Sequence, residues 1–271
     1  MTISTISDIL DTVGKESFEE LQNSLEEICS EIASKFGLYD KVGNPRKAAI
    51  LEVVASSTCV CCVSRRLSAT NSTRIDGIYT EIHKLATNIL IEELYDKFRS
   101  SGYSVSILGE AETRFGKVDI IIKPTKVGIA LQCGTNQLIV EVKTGFSMSV
   151  PQIFRYLLDQ ENRIVVLWRI RNRQVLSFDG MQLNALLKRF MKTCILRGQR
   201  LLTSPQETSC KHRSQTNWSP TQEELQEMLR DFATGMIETL PSVVKTVFQT
   251  LKLKEIRNDS ITPNADKPTV D

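Results

Sequence analysis

The chain has 271 residues, of which 41% are hydrophobic and 24% are charged, so a packed core is expected and general disorder is excluded. The net charge of +2 excludes a chain that is basic throughout, so a nucleic-acid surface would have to come from local clusters of basic residues. Segment 163–213 is the most basic part of the chain. Its charges predict either a solvated face or a surface that follows phosphates.

The N-terminus has no basic stretch followed by a long apolar run, and no later segment is apolar enough to span a membrane. We therefore expect a cytoplasmic protein without a membrane partner. The seven cysteines do not require disulfides in such a protein. Residues 59–62 contain three of them but lack the spacing of a zinc site, so buried thiols in a helix are the preferred interpretation.

The N-terminal region, residues 1–70, is predicted to be helical. Apolar residues recur at intervals of three and four over residues 5–36, and a further helix is predicted over 46–67. A Gly-Asn-Pro turn at 43–45 separates the two.

The middle of the chain, residues 71–200, has the pattern of an α/β domain. A helix is predicted over 78–100 by its apolar face, and the period then changes to that of strands. Strands are predicted over 103–108, 118–122, 127–132, 137–143, 163–170 and 174–178. Helices are predicted over 151–161 and from 179 to about 198.

The C-terminal part begins with a linker at 201–220 that is rich in Ser, Thr, Gln and Pro. A helical region follows over 221–256 with an interruption expected at Pro241, and residues 257–271 are predicted to be a disordered tail. The apolar stripes of the N- and C-terminal helices need burial, so these extensions could form a homo-oligomer interface.

Charged residues interrupt two of the most apolar predicted strands. Asp119 lies near the start of one strand, three residues after Gly116, while Glu141 and Lys143 lie near the end of another. Because residues two apart on a strand point to the same face, Glu141 and Lys143 should project together. If the two strands are neighbours, Asp119 can lie beside Glu141.

Two carboxylates and a lysine in this arrangement suit a magnesium site. Mg²⁺ prefers oxygen ligands and commonly uses one or two carboxylates, so Asp119 and Glu141 are candidate ligands and the carbonyl of Val142 is a third. Lys143 could orient the attacking water and stabilise charge in the transition state. The simpler interpretation is an exposed cross-strand charge pair with Asp119 as a strand-start residue. The strongly apolar flanks of both strands favour the metal site.

These motifs resemble the PD-(D/E)xK nuclease superfamily, in which an aspartate precedes a Glu-x-Lys strand. The following segment contains Gln152 and Tyr156, spaced four apart, which resembles an additional motif of RecB-like members. The resemblance covers residues 78–180. It implies an α/β fold with a restriction-endonuclease-like core, a central mixed sheet flanked by helices, and helical N- and C-terminal extensions.

The resemblance also implies a function. Asp119 and Glu141 would bind Mg²⁺, for which Mn²⁺ could substitute, and Lys143 would be the catalytic lysine of a phosphodiester hydrolase. Gln152 and Tyr156 would contact the nucleic acid. DNA is the expected substrate, in repair, replication or defence. A catalytically inactive DNA-binding or assembly module with the same fold is the alternative.

The family also uses an acidic residue, or a histidine in RecB-like members, on the helix before the strands. The candidates here are Glu81, His83, Glu92 and Glu93. Glu81 is favoured as a catalytic residue and metal ligand, and Glu92 is the second choice. Some RecB-like exonucleases hold an iron–sulfur cluster through one early and three late cysteines. Only Cys194 and Cys210 follow the site in this chain, so no iron–sulfur cluster is expected.

Overall fold

The computed structural model describes residues 16–56, 74–124, 137–145, 149–158, 163–203 and 221–259. Several predicted features lie outside these ranges. They are the first residues of the N-terminal helix, the cysteine cluster at 59–62, the strand at 127–132, most of the linker and most of the C-terminal tail.

The described residues form helices and strands in the following order. They are α1 (Phe18–Phe36), α2 (Lys47–Ser56), α3 (Arg74–Ser100), β1 (Val105–Thr113), β2 (Gly116–Pro124), β3 (Leu138–Lys143), α4 (Val150–Leu158), β4 (Ile164–Arg169), β5 (Gln174–Asp179), α5 (Asn184–Thr203) and α6 (Gln222–Asp259). β1 continues five residues beyond its predicted end because it forms a long hairpin with β2.

The five strands form one mixed sheet in the order β1-β2-β3-β4-β5. Every neighbouring pair is antiparallel except β3 and β4, which are parallel and are connected through α4. A parallel pair requires such a crossover, because its strands run in the same direction. The predicted α/β class, with a central mixed sheet flanked by helices, is confirmed.

The helices cover both faces of the sheet. On one face, α1, α2, α4 and α5 form a hydrophobic cluster with residues such as Ile139 and Val165. On the other face, α3 and α6 pack on residues such as Val140 and Val166. Burial on both faces explains why β3 and β4 are almost continuously apolar.

The helical extensions are therefore part of the same core as the sheet. The apolar stripes of α1 and α6 are buried against other elements of the chain, so their burial does not require a second copy. Self-association through these helices stays a prediction. Among the described residues, no helix combines the length and the apolar character needed to cross a membrane.

Local sequence signals account for the two ends of α1. At its start, the Ser17 side chain accepts a hydrogen bond from the Glu20 amide, and the Glu20 carboxylate accepts one from the Ser17 amide. At its end, Gly37 has a φ of 66°, the left-handed conformation that glycine adopts without steric cost.

The predicted interruption at Pro241 is wrong, because α6 continues through this residue. A proline inside a helix removes one hydrogen bond and leaves the carbonyl four residues earlier without its usual partner. Here that carbonyl belongs to Ile237, and both residues lie on the exposed side of the helix. Water can therefore solvate the freed group while the buried side of α6 stays packed on the sheet.

Candidate metal centre

On β2, the side chains before and after Asp119 point to opposite faces of the sheet. Val118 belongs to the hydrophobic cluster that contains α1 and α2, whereas Ile120 belongs to the cluster that contains α3. Residues two apart on a regular strand would point to the same face. The strand is therefore twisted between these two residues, and Asp119 occupies the twist.

The partner strand is distorted at the same point. β1 and β2 pair on both sides of Glu110 and Asp119 but not between these two residues themselves. Glu110 has a φ of 49°, in the left-handed region that is unfavourable for a residue with a side chain. Such local strain often accompanies functional sites, where the surrounding structure holds it in place.

Asp119 also lies where β2 and β3 separate. The last paired residues are Ile120 and Val140. Beyond them, the side chain of Asp119 takes the place of the β2 backbone as the hydrogen-bond partner of β3. Its Oδ2 accepts a hydrogen bond of 2.7 Å from the amide of Val142. Because the amide and carbonyl of one strand residue point to the same side, the Val142 carbonyl also faces Asp119.

Glu141 is the buried member of the carboxylate pair. Its side chain is only 2% exposed, and its Oε1 lies 2.7 Å from Lys143 Nζ. The Gln152 side-chain amide donates a hydrogen bond of 2.6 Å to the same oxygen. The other carboxylate oxygen, Oε2, is buried and has no hydrogen-bond partner. A buried, unpartnered carboxylate oxygen is costly unless a ligand satisfies it.

Helix α4 supplies the support for Glu141. Gln152 and Tyr156 are four residues apart, so both face the sheet, and Gln152 donates a second hydrogen bond of 2.6 Å to the Tyr156 hydroxyl. Tyr156 is almost fully buried, and this burial raises its pKa, so its hydroxyl stays protonated. The two side chains fix the orientation of Glu141.

The two carboxylates have different proton affinities. Burial raises the pKa of Glu141 to about 7, the negative charge of Asp119 adds to this effect, and Lys143 opposes it. Burial alone would also raise the pKa of Asp119. Hydrogen bonds from His83 and from the Val142 amide outweigh that effect and hold the pKa of Asp119 below its ordinary value. Asp119 is therefore ionised at neutral pH, where Glu141 is close to its own titration point.

His83 is the residue of α3 that reaches the site. Its Nε2 lies 3.1 Å from Oδ1 of Asp119. This hydrogen bond raises the pKa of His83, against the opposing effect of burial. The imidazole thus holds the second oxygen of Asp119, while the backbone of β3 holds the first.

The structure does not bring Glu81 or Glu92 to the site. The Glu81 side chain is 74% exposed and pairs with Lys84, and Glu92 is also exposed. Both glutamates share one face of α3, as their spacing predicted. Glu81 lies two residues before His83 and Glu92 lies nine residues after it, and either offset corresponds to a rotation of about half a turn around the helix axis. The glutamates therefore face away from His83. Glu81 therefore adds no oxygen to the donor set.

A signal for His83 was present in the sequence. It lies on the same stripe as the buried residues Ala86, Leu90 and Leu94, at intervals of three and four. A polar residue at the end of an apolar stripe faces the same side as that stripe. The phase of the helix thus favoured His83 over the neighbouring glutamates.

The residues at the site fit a hard divalent cation. The described part of the chain contains no group of three or more His, Cys, Asp or Glu residues that could hold a metal ion. The oxygens that could hold such an ion are those of Asp119, Glu141 and the Val142 carbonyl. Magnesium commonly uses one or two carboxylates and completes its shell with water and substrate phosphate. The unpartnered oxygen of Glu141 is suited to such an ion.

A cleft between α3 and the β1–β2 hairpin opens on Asp119. Its walls include His83 on one side and Glu110 on the other, with Lys84 and Lys117 at the rim. Each lysine belongs to an exposed ion pair, Lys84 with Glu81 and Lys117 with Glu112.

Much of the basic segment 163–213 is engaged within the chain. Arg171 and Arg173 pair with Asp231 on α6, and Arg197 donates hydrogen bonds to the last carbonyls of α2. These cations connect β4, β5 and α5 to neighbouring helices. The part of the segment beyond residue 203 lies outside the described residues.

Comparisons of the chain with models of protein families, with curated proteins and with solved structures find no match. The described residues themselves provide a carboxylate pair, with Glu141 buried and Asp119 partly buried, and a lysine, a histidine and a glutamine around it. These side chains come from β2, β3, α3 and α4.

Proposed function

We propose that this chain is a Mg²⁺-dependent nuclease that hydrolyses phosphodiester bonds of DNA. The observation that carries the proposal is the convergence of Asp119, Glu141 and Lys143 where β2 and β3 separate, with one oxygen of Glu141 buried and unpartnered. A buried carboxylate oxygen without a partner is costly, and a bound cation would satisfy it.

Each residue has a distinct role in this proposal. Asp119, Glu141 and the Val142 carbonyl would hold the metal, which supplies Lewis acidity and an acidified water when bound. Lys143 donates hydrogen bonds to the attacking water and to the charge that develops on the phosphate. Gln152 keeps Glu141 in position, and His83 does the same for Asp119.

Two features support membership of the PD-(D/E)xK superfamily with a restriction-endonuclease-like core. The mixed sheet places the aspartate strand beside the Glu-x-Lys strand, as the resemblance implies. His83, on the helix before the strands, contacts Asp119, and Gln152 contacts Glu141 from the helix that follows β3. Mn²⁺ would substitute for Mg²⁺, because both accept the same oxygen ligands.

The direct test is a cleavage assay with purified protein, Mg²⁺ or Mn²⁺, and linear, circular, single-stranded and branched DNA. We expect cleavage of at least one substrate by the wild type and its loss in Asp119→Ala, Glu141→Ala and Lys143→Ala, with circular dichroism showing retained structure. Glu92→Ala is the matched control, because this glutamate is exposed and lies away from the site. Metal-dependent cleavage by all three site variants would contradict the proposal.

A calorimetric titration with Mn²⁺ separates this proposal from the inactive-module alternative. A nuclease should bind the ion through Asp119 and Glu141 and lose binding in Asp119→Asn. Absence of binding in the wild type would favour a DNA-binding or assembly module.

A further inference from the structure

A second cleft lies on the other side of the β1–β2 hairpin from the one that opens on Asp119. It is formed by the start of α2 and by the turn between β1 and β2. The residues that matter for its chemistry are Arg46, Ala48 and Ala49 on α2 and Gly116 and Lys117 on β2.

The first turn of α2 is suited to an anion. The amide of Ile50 bonds to the carbonyl of Arg46, so Arg46 is the capping residue and the amides that follow it have no carbonyl four residues earlier within the helix. Arginine cannot cap these amides, and the first turn contains no acidic residue. The N-terminus of α2, which is the positive end of the helix dipole, therefore faces the cleft, and no acidic side chain in its first turn neutralises it.

Arg155 provides an independent indication of a ligand. Its side chain is 94% buried, since only 6% of its surface is exposed, yet its Nε has no hydrogen-bond partner. Among the described residues, no carboxylate forms an ion pair with it, and its guanidinium lies over the Tyr156 ring, whose centroid is 5.0 Å away. A buried guanidinium without an anion is costly.

The guanidinium lies next to Gly116, which lines this cleft. Its carbon Cζ is 3.7 Å from the position that a Cβ on Gly116 would occupy, and Ala48 Cβ is 2.7 Å from the same position. Gly116 has a φ of 124°, so glycine is required there for both space and backbone conformation. Gly116 and Ala48 both line the cleft, so Arg155 and the amides of the first turn of α2 lie close to the same part of it.

The remaining charges around the cleft are mostly positive. Arg46 is exposed and unpaired among the described residues, and Lys117 lies 3.7 Å from Glu112 in an exposed pair. The other carboxylate on the wall, Asp40, accepts hydrogen bonds from amides of its own loop. Lys47 and Arg114 also line the cleft, where each pairs with Glu26.

We propose that Arg155 and the start of α2 form a phosphate-binding site for the strand that is bound at Asp119. This inference rests on the proposed function, because Lys117 lines both clefts and Gly116 is about 10 Å from Asp119 along β2. A strand cleaved at Asp119 would place a neighbouring phosphate over Arg155. That phosphate is either a terminal monoester or an internal diester.

The first experiment uses inorganic phosphate on the intact protein, with chloride at equal ionic strength as the reference. We expect phosphate to raise the Tm of the wild type, and we expect most of this gain to be lost in Arg155→Met. Without phosphate, Arg155→Met should be as stable as the wild type or more stable, because methionine has a similar volume and the variant removes a buried charge that pairs with no carboxylate among the described residues. A merely structural arginine would instead lower the Tm in both buffers.

Arg46→Ala is the second variant, because this exposed residue can change without affecting the core. It should weaken phosphate binding about threefold, whereas Arg230→Ala, an exposed arginine on α6, should leave it unchanged. NMR provides a readout that does not depend on Tm. The amides of Ala48 and Ala49 should shift saturably with phosphate in the wild type. No shift of these amides and no gain in Tm would overturn the proposal.

The second experiment distinguishes the two sources of phosphate. Binding of fluorescent single-stranded DNA with a 5′-phosphate, a 3′-phosphate or only hydroxyl ends is measured in EDTA, so that cleavage cannot contribute. Arg155→Met should weaken binding about tenfold. If the phosphate is terminal, this loss appears with one phosphorylated end only. If it is internal, the loss is equal for all three strands. The number of ions released on binding, obtained from the salt dependence of the affinity, then falls by about one.

The outcomes separate this site from the proposed nuclease activity. Equal DNA affinities for the wild type, Arg155→Met and Arg230→Ala would reject the phosphate site even if the protein cleaves DNA. A loss of affinity confined to Arg155→Met and Arg46→Ala, in a protein that cleaves no DNA, would support the phosphate site and reject the nuclease.

Discussion

The two ends of the β2–β3 pair differ sharply although only a few residues separate them. At one end, Ile121 and Ile122 pair with Ile139 and Leu138, and all four side chains are buried among other apolar groups. At the other end the pairing stops, and Asp119 stands beside Glu141. The first end stabilises the fold, whereas the second places charge in a buried environment at a cost in stability.

This difference predicts that stability and activity can be changed separately. Variants at the apolar end should reduce the free energy of unfolding without a specific effect on chemistry. Variants at the charged end should abolish chemistry and leave the metal-free protein as stable as before, or more stable.

The largest effect is expected for Glu141→Gln. Cleavage should fall about a thousandfold or more, because the variant removes a proposed metal ligand that would be worth several kcal/mol in the transition state. At about pH 8 without metal, the same variant should resist urea at least as well as the wild type, because it removes a buried charge. Parallel cleavage and urea-unfolding measurements check both expectations. A variant that loses stability and activity together would remove the contrast between the two ends.

Ile122→Ala tests the apolar end. Ile122 is fully buried and pairs with Leu138, so its truncation should lower the free energy of unfolding by about 2–5 kcal/mol. The cleavage rate per folded molecule should stay within about twofold of the wild type, which a rate measurement well below the Tm would show. A specific loss of activity in a folded protein would mean that the two ends are not independent.

The stability of the metal-free protein should depend on pH. The folded pKa of Glu141, about 7, is above the ordinary value of 4.5, so its contribution is complete below about pH 4.5 and is lost as the pH rises through 7. The raised pKa of His83 acts in the same direction, and the lowered pKa of Asp119 matters only in acid. The loss from Glu141 should be about 3 kcal/mol, which urea unfolding between about pH 5 and pH 8 would measure.

Magnesium should reverse this trend. Binding requires ionised Glu141, so the apparent affinity should rise about tenfold per pH unit up to about pH 7. Thermal unfolding with and without Mg²⁺ at several pH values checks the reversal. A metal-induced gain in Tm that is independent of pH would contradict a role for Glu141 as a ligand.

A smaller effect separates His83 from Glu81. His83→Ala should reduce cleavage about 10–100-fold, because Asp119 loses a partner that orients it. Glu81→Ala should change the rate less than about twofold, since this side chain is exposed and distant from the carboxylates. The reverse order of effects would restore Glu81 as the residue that α3 contributes to the site.

The smallest effect concerns the strained backbone opposite Asp119. Glu110→Gly should stabilise the protein by about 1 kcal/mol, because glycine adopts the positive φ of this position without strain. Chemical denaturation would measure the gain. If the variant instead loses stability, the Glu110 side chain makes a contribution that exceeds the backbone strain.

The sequence was most informative where the period of a strand or helix determines which side chains point to the same face. Strand alternation places Glu141 and Lys143 together, and helical spacing places Gln152 and Tyr156 together, as found in the structure.

Features that depend on how elements meet could not be predicted in the same way. The change of face at Asp119 arises from the twist of the whole hairpin, and no local pattern marks it. The apolar stripe of α3 favours His83 over Glu81, but the contact between His83 and Asp119 depends on how α3 packs against the sheet. The burial of Arg155 requires α2, α4 and the hairpin turn together, although residue type alone favours a surface position.

The most direct measurement is the initial rate of DNA cleavage as a function of Mg²⁺ concentration, for the wild type and Asp119→Asn in parallel. The proposed metal centre predicts no cleavage in EDTA, a saturable rise with Mg²⁺ in the wild type, and no rise in the variant. Cleavage that persists in EDTA, or an equal rise in both proteins, would contradict it.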